Sequence, residues 1–425
     1  MWILKLFNII SIISIIHLNN SNNGSYLSFN LQLYINSSNN FSNATNFIHY
    51  NLDSLYYTKI KFGTPEKTYI MQIKLDDYGF KITNYDCEIE LQDKTVENIY
   101  NPFLSNSSIV EISGINFTYY WENQVYKITE YINLLSNNNI INNPKITFIY
   151  NPRNLTFAKK AKDFSPNTCF KLGLRLPEKD YEHYEDYEIS LLGQFKRQKF
   201  INSYEWFIEY GSNDKDDSLL IIGISPHEYN NKKYIENNLR KISCYNRLFN
   251  DYYYWNFKFT QIFMRDKDNK REFMNMNTAC FVPSLNVIKG TYEYQKIINE
   301  SLFSELIINH KCFEEFSLLN NIIYCHNENK IKNYIKDKFL NIVFFNNDLE
   351  EEFVLTYEDL FVEKGNIFYF LIVFDYSSSI NTWILGKPFL TKYFFSYDYN
   401  MKTISYYKKG KTINHLPKKK IIYGF

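Results

Sequence analysis

Apolar residues recur at every second position in two stretches of the chain: Leu27, Phe29, Leu31, Leu33 and Ile35, and then Tyr69, Met71, Ile73 and Leu75. Neighbouring side chains of a strand point to opposite faces of its sheet, so a period of two predicts half-buried strands. Short alternating stretches of this kind, separated by turn residues, continue along most of the chain. Helical windows are few, at 191–202, 293–308 and a short turn at 358–362. Polar runs at 136–143, 180–188 and 327–336 predict loop insertions. A strand-rich, helix-poor chain of more than 300 residues suggests two β-lobes rather than one barrel.

Composition narrows the function classes. Lys and Arg number 47 against 46 Asp and Glu, so no overall basic field exists to gather nucleic acid or anionic membrane. Aromatic residues form 19% of the 425-residue chain, too much anchoring surface for wholesale disorder. Only 13 glycines are present, about half of the roughly 7% of average usage. A family that spends glycine on catalytic turns is expected to show losses here.

Lys5 followed by an apolar run at 6–18 reads as a signal peptide, assigned to 1–24. No later run offers 18 uninterrupted apolar residues, and 411–425 form a basic tail, so no transmembrane span is expected in the mature chain. The expected location is the secretory pathway, leading to the exterior, a vesicle lumen or the cell surface. Six cysteines without a CxxC pair then favour disulfides over zinc, and no metal or other cofactor is expected. Sequons at Asn36, Asn40, Asn43, Asn106, Asn116, Asn154 and Asn299 agree with that route.

Several motifs follow one another in a fixed order. Tyr56-Tyr57 leads into Gly63-Thr64-Pro65, and Cys169-Phe170-Lys171-Leu172-Gly173-Leu174 forms an apolar strand ending in glycine. The helical window from Leu191, Tyr204 to Phe207, Leu219 to Gly223 and Tyr254-Trp255 come next, then Trp383-Ile384-Leu385-Gly386 with Phe389-Leu390. Across 56–407 this series resembles the pepsin-like aspartic proteases. The resemblance implies an all-β, bilobal fold with two β-barrel-like lobes, at 25–205 and 206–410, around a central cleft.

In that family each lobe presents Asp-Thr-Gly, and the two carboxylates share a proton and activate water. Counting eleven residues from Gly63, or thirteen back from Cys87, puts Lys74 at the first Asp position. A two-residue slip puts Asp76 there instead, at the cost of a bulge. In the second lobe Asn277-Thr278-Ala279 stands where Asp-Thr-Gly belongs, and an amide cannot serve as the acid. Tyr119 and Tyr120 fall at the flap, without its glycines. Each residue also has a plainer reading: Lys74 as a snorkelling or ion-paired side chain, Cys280 as a buried apolar thiol or disulfide partner, and the two tyrosines as core filler.

The resemblance thus implies a secreted pseudoprotease whose cleft binds an extended peptide or protein ligand. The alternative is an active endopeptidase using Asp76. The resemblance also implies a disulfide between Cys312 and Cys325; the pairing of the other four cysteines stays open, with Cys87–Cys169 and Cys244–Cys280 as one arrangement.

Overall fold

The computed structural model describes residues 17–21, 24–34, 55–75, 78–83, 100, 102–112, 126–133, 145–151, 169–174, 190–211, 218–244, 255–266, 270–273, 277–317, 320–376 and 382–407. Within them the chain is mostly β-sheet with a few short helices. The period-two stretches are strands. Leu27, Phe29 and Leu31 are buried on one face of Gly24–Tyr34, and Tyr69, Met71 and Ile73 on one face of Lys67–Lys74.

The largest sheet has fourteen strands. At one end the C-terminal strands Phe395–Asp398 and Thr403–Tyr407 pair with Glu205–Glu209 and Leu239–Ser243. The long strand Gly24–Tyr34 continues this layer through Ser218–Ile222. Its last residues, Gln32 to Tyr34, pair with Leu55–Phe62 and lead into the strands of the chain's first half. Leu55–Phe62 also meets Tyr126–Asn133 through Lys61 and Phe62, so that run of strands curls back on itself. The second half forms a nine-stranded sheet, with a four-stranded sheet beside it. Among the described residues no pairing joins the two ends of the nine-stranded sheet.

Aromatic side chains fill much of the space between these layers. Trp206 stacks on Tyr397 at 4.2 Å, and Trp255 meets both rings edge-on, at 5.9 and 5.2 Å. Fully buried rings of this size each contribute on the order of 2–3 kcal/mol by leaving water, and edge and stacked geometries add to that.

The helices follow the sequence only in part. Leu191–Arg197 starts at the Ser190 cap, and Gln194 fastens it to a strand by exchanging two 2.6 Å hydrogen bonds with the Thr147 backbone. The window 293–308 is an α-helix from Tyr292 interrupted by a π-turn at Asn299–Phe303. The stretch 327–336, expected to be a loop insertion, is corrected to a helix over Asn329–Lys338. Its Ile331 and Ile335 lie four residues apart on one buried face, while Lys332 and Lys336 pair with Glu363 and Glu358. No helix among the described residues is long and apolar enough to cross a membrane.

Candidate functional site

The residues singled out at the two motifs lie on or beside six strands. We label them β1 (Lys67–Lys74), β2 (Tyr78–Thr83), β3 (Cys169–Leu174), β4 (Asn277–Phe281), β5 (Ile288–Thr291) and β6 (Thr382–Leu385). In the first half β3 lies between β1 and β2, parallel to β1 and antiparallel to β2. In the second half β6 lies between β4 and β5 in the same two senses. The chain therefore builds one three-stranded motif twice. Beyond each, a further parallel strand continues the pattern: Lys145–Asn151 beside β2 and Ile372–Asp375 beside β5.

Register makes the two copies comparable residue by residue. Gly173 of β3 faces Lys74 on one side and Gly79 on the other. In the second copy Phe281 faces Leu385 and Lys289 faces Ile384, so the same counting brings Val282 and Val287 to Gly386. The Val282 amide donates to the Leu385 carbonyl at 3.1 Å. A Cβ on Gly386 would lie 2.2 Å from the Val287 carbonyl oxygen and 2.5 Å from that of Leu285. The residues flanking each glycine are five apart in both copies. Val282 is thus the counterpart of Lys74.

Asn277 does not hold that place. It opens β4, paired with Phe259, five residues before Val282. The expectation that Lys74 and Asn277 occupy matching positions is corrected by this register. The error came from chemistry read without geometry: Asn277-Thr278-Ala279 resembles Asp-Thr-Gly in its letters, whereas Val282-Pro283-Ser284 keeps none of them. The usable signal was the apolar strand ending at Gly386, whose partners fix the count.

Neither copy presents a described acid at its tip. Lys74 is half-buried at the end of β1. From Asn277 to Thr291 the sequence contains no Asp or Glu. What that stretch offers instead is Thr278, whose hydroxyl meets that of Thr382 at 3.0 Å, and the Cys280 thiol. Cys280 points at the Trp383 carbonyl at 3.6 Å, and burial pushes its thiol up to about 12, so it is not a thiolate nucleophile. Gln72 precedes Lys74 by two residues on the same side of β1. It is fully buried, with both side-chain amide atoms lacking a partner among the described residues. Cys280 stands in the equivalent place before Val282.

Two contacts tie the motifs across the sheets. The Trp255 indole N–H donates to the Leu174 carbonyl at 2.8 Å, next to Gly173. The Lys387 ammonium, next to Gly386, lies 5.2 Å from the centre of the Tyr56 ring.

Cys312 and Cys325 face each other across a hairpin and form a disulfide, as the resemblance implied. The pairing of Cys244 with Cys280 is corrected: both are free thiols, Cys244 beyond the end of strand Leu239–Ser243 and Cys280 within β4. Asp76, Tyr119, Tyr120 and Cys87 lie outside the described residues. Among the described residues no three His, Cys, Asp or Glu side chains gather as a metal site. Comparison with protein-family models and with curated proteins finds no match.

Proposed function

We propose that the chain is a bilobal, pepsin-like protein without an aspartic dyad, and that it binds an extended peptide or protein segment rather than cutting it. The observation that carries this reading is the acid-free stretch from Asn277 to Thr291. A shared-proton dyad needs one carboxylate from each copy. The second copy has none to give, whether Asn277 or Val282 is set opposite the first. Lys74 supports the same conclusion from the first copy. The duplicated motif and its inter-sheet ties favour a retained cleft, since strand-like peptide capture relies on main-chain hydrogen bonds that need no acid. A secretory setting suits the Cys312–Cys325 disulfide.

The test is hydrolysis by the purified mature protein of denatured protein and of fluorogenic peptides from pH 3 to 7. No turnover above a heat-inactivated control is expected. Cleavage blocked by a statine inhibitor and lost in Asp76→Ala would overturn the reading in favour of an active endopeptidase.

A further inference from the structure

Strand Glu205–Glu209 divides its side chains between two faces. Trp206 and Ile208 enter the main core, whereas Phe207 belongs to a separate cluster with Tyr26, Ile221 and Ile224. Glu209 follows Phe207 by two residues and so shares this second face. Beside it lies a cavity of about 280 Å³, bounded by Glu209, the loop carrying Tyr234 and Asn238, and the turn carrying Thr391 and Phe394.

The lining has two characters. Tyr234, Phe394 and Tyr407 form an aromatic wall, with Tyr234 4.1 Å from Phe394 and 5.5 Å from Tyr407. Around it stand hydrogen-bonding groups. The Tyr234 hydroxyl donates to Glu209 at 3.4 Å, and burial beside that carboxylate keeps the phenol protonated far above its ordinary range. The Asn238 side chain, at the end of the short 3-10 helix Glu236–Asn238, lines the same cavity.

Charge argues against an anionic ligand. Lys233 is paired with Glu209, and Lys392, at the same cavity, with Asp359. Each ammonium is balanced by a carboxylate, so no net positive charge faces the cavity to draw a phosphate or carboxylate. The volume falls just below the range of about 300–1,000 Å³ usual for drug-sized ligands, which fits one ring rather than an extended peptide. Tyr234 is covered by Phe394 and by the Lys233 ammonium, which leaves the partly exposed Phe394 as the apolar platform. A ring that presents an apolar face to it while offering hydroxyls to a carboxylate and an amide is a pyranose. We propose that this cavity binds the pyranose ring of a neutral sugar, free or at the end of a glycan.

Calorimetric titration of the full chain tests this with methyl α-D-mannopyranoside, methyl β-D-galactopyranoside and N-acetyl-D-glucosamine. A high-mannose glycopeptide forms a second arm, and p-cresol and inorganic phosphate serve as controls. At least one pyranoside should bind with Kd of about 0.1–10 mM, at least tenfold weaker in Phe394→Ala and in Asn238→Ala and unchanged in Lys74→Asp. Asn238 is half-exposed at the end of the 3-10 helix Glu236–Asn238, so its variant keeps the test valid if Phe394→Ala fails to fold. Tighter binding of the glycopeptide supports the proposal with a glycan as source, and equal binding supports it with free sugar. Binding of p-cresol or phosphate alone, binding of nothing, or pyranoside binding indifferent to Asn238→Ala would overturn it.

Discussion

Lys289 and Asp375 form an ion pair at 2.9 Å between β5 and its parallel neighbour, with side chains only 19% and 14% exposed. The pair occupies the second motif, two residues beyond Val287. It places an acid near that motif already committed to a cation, in a position set by the Thr291–Asp375 and Lys289–Val373 register.

Removing one partner leaves the other charge largely out of water. Lys289→Met is expected to destabilise the fold by about 2–4 kcal/mol, while the double variant Lys289→Met/Asp375→Leu should recover most of that loss. Urea unfolding of the single and double variants measures both. Additive losses would show that the two charges do not compensate each other.

Gly386→Ala should be among the most damaging small substitutions. The added methyl would meet two carbonyl oxygens, and that of Leu285 is held by the Lys387 amide at 2.7 Å. A cost of at least about 3 kcal/mol is expected. Gly365→Ala provides the contrast. There φ is +55° but nothing lies within 4 Å of the added atom, so only the backbone penalty of about 1 kcal/mol applies. Thermal melts of the two variants separate crowding from backbone strain.

Glu205 predicts a pH dependence. Burial raises its carboxyl from about 4.5 to about 7, against the opposing effects of a 2.6 Å hydrogen bond from Ser396 and of Lys241, with Asp398 and Glu228 adding to the rise. Between these values the folded chain holds a proton that the unfolded chain has released. Stability from this group is therefore full below pH 4.5 and lost as pH rises through 7, by up to about 3 kcal/mol. Urea midpoints measured from pH 4.5 to 8 should fall across that window, and Glu205→Gln should flatten the curve. An unchanged slope in the variant would assign the pH dependence to other groups.

If the cleft binds peptides, the ammonium of Lys74 biases it towards acidic ones. Lys74→Asp should weaken the capture of acidic peptides about five- to tenfold on an array at neutral pH. Wild-type capture should itself weaken with salt, because exposed charges are screened over about 8 Å at physiological ionic strength. A preference for basic peptides would remove Lys74 from the binding surface.

The sequence disclosed what local periodicity records. Leu27, Phe29 and Leu31 announced their strand because one sheet face is buried and the other is not. Helix Asn329–Lys338 escaped because its buried face rests on Ile331 and Ile335 amid lysine and asparagine, a pattern close to that of a polar loop. The β4 register escaped for a different reason. Parallel pairing joins Thr278 to Thr382 across a hundred residues, and no short-range pattern encodes which residue meets which. Gly386 was visible as a letter, but its reach to the Val287 carbonyl belongs to tertiary structure. The Cys312–Cys325 bridge came from the resemblance and a short loop, whereas the two free thiols depended on sheet membership that spacing does not reveal.

The bond from Trp255 to the Leu174 carbonyl has a mechanical consequence. Trp255 leads into the nine-stranded sheet and packs against Trp206 and Tyr397 of the fourteen-stranded one. Its indole thus works as a tie rod whose far end is fixed one residue from the glycine facing Lys74. Any shift of one sheet against the other would therefore act on the Leu174 carbonyl, beside the tip of the first motif. A side chain changed at Trp255 would release that backbone carbonyl from the far sheet.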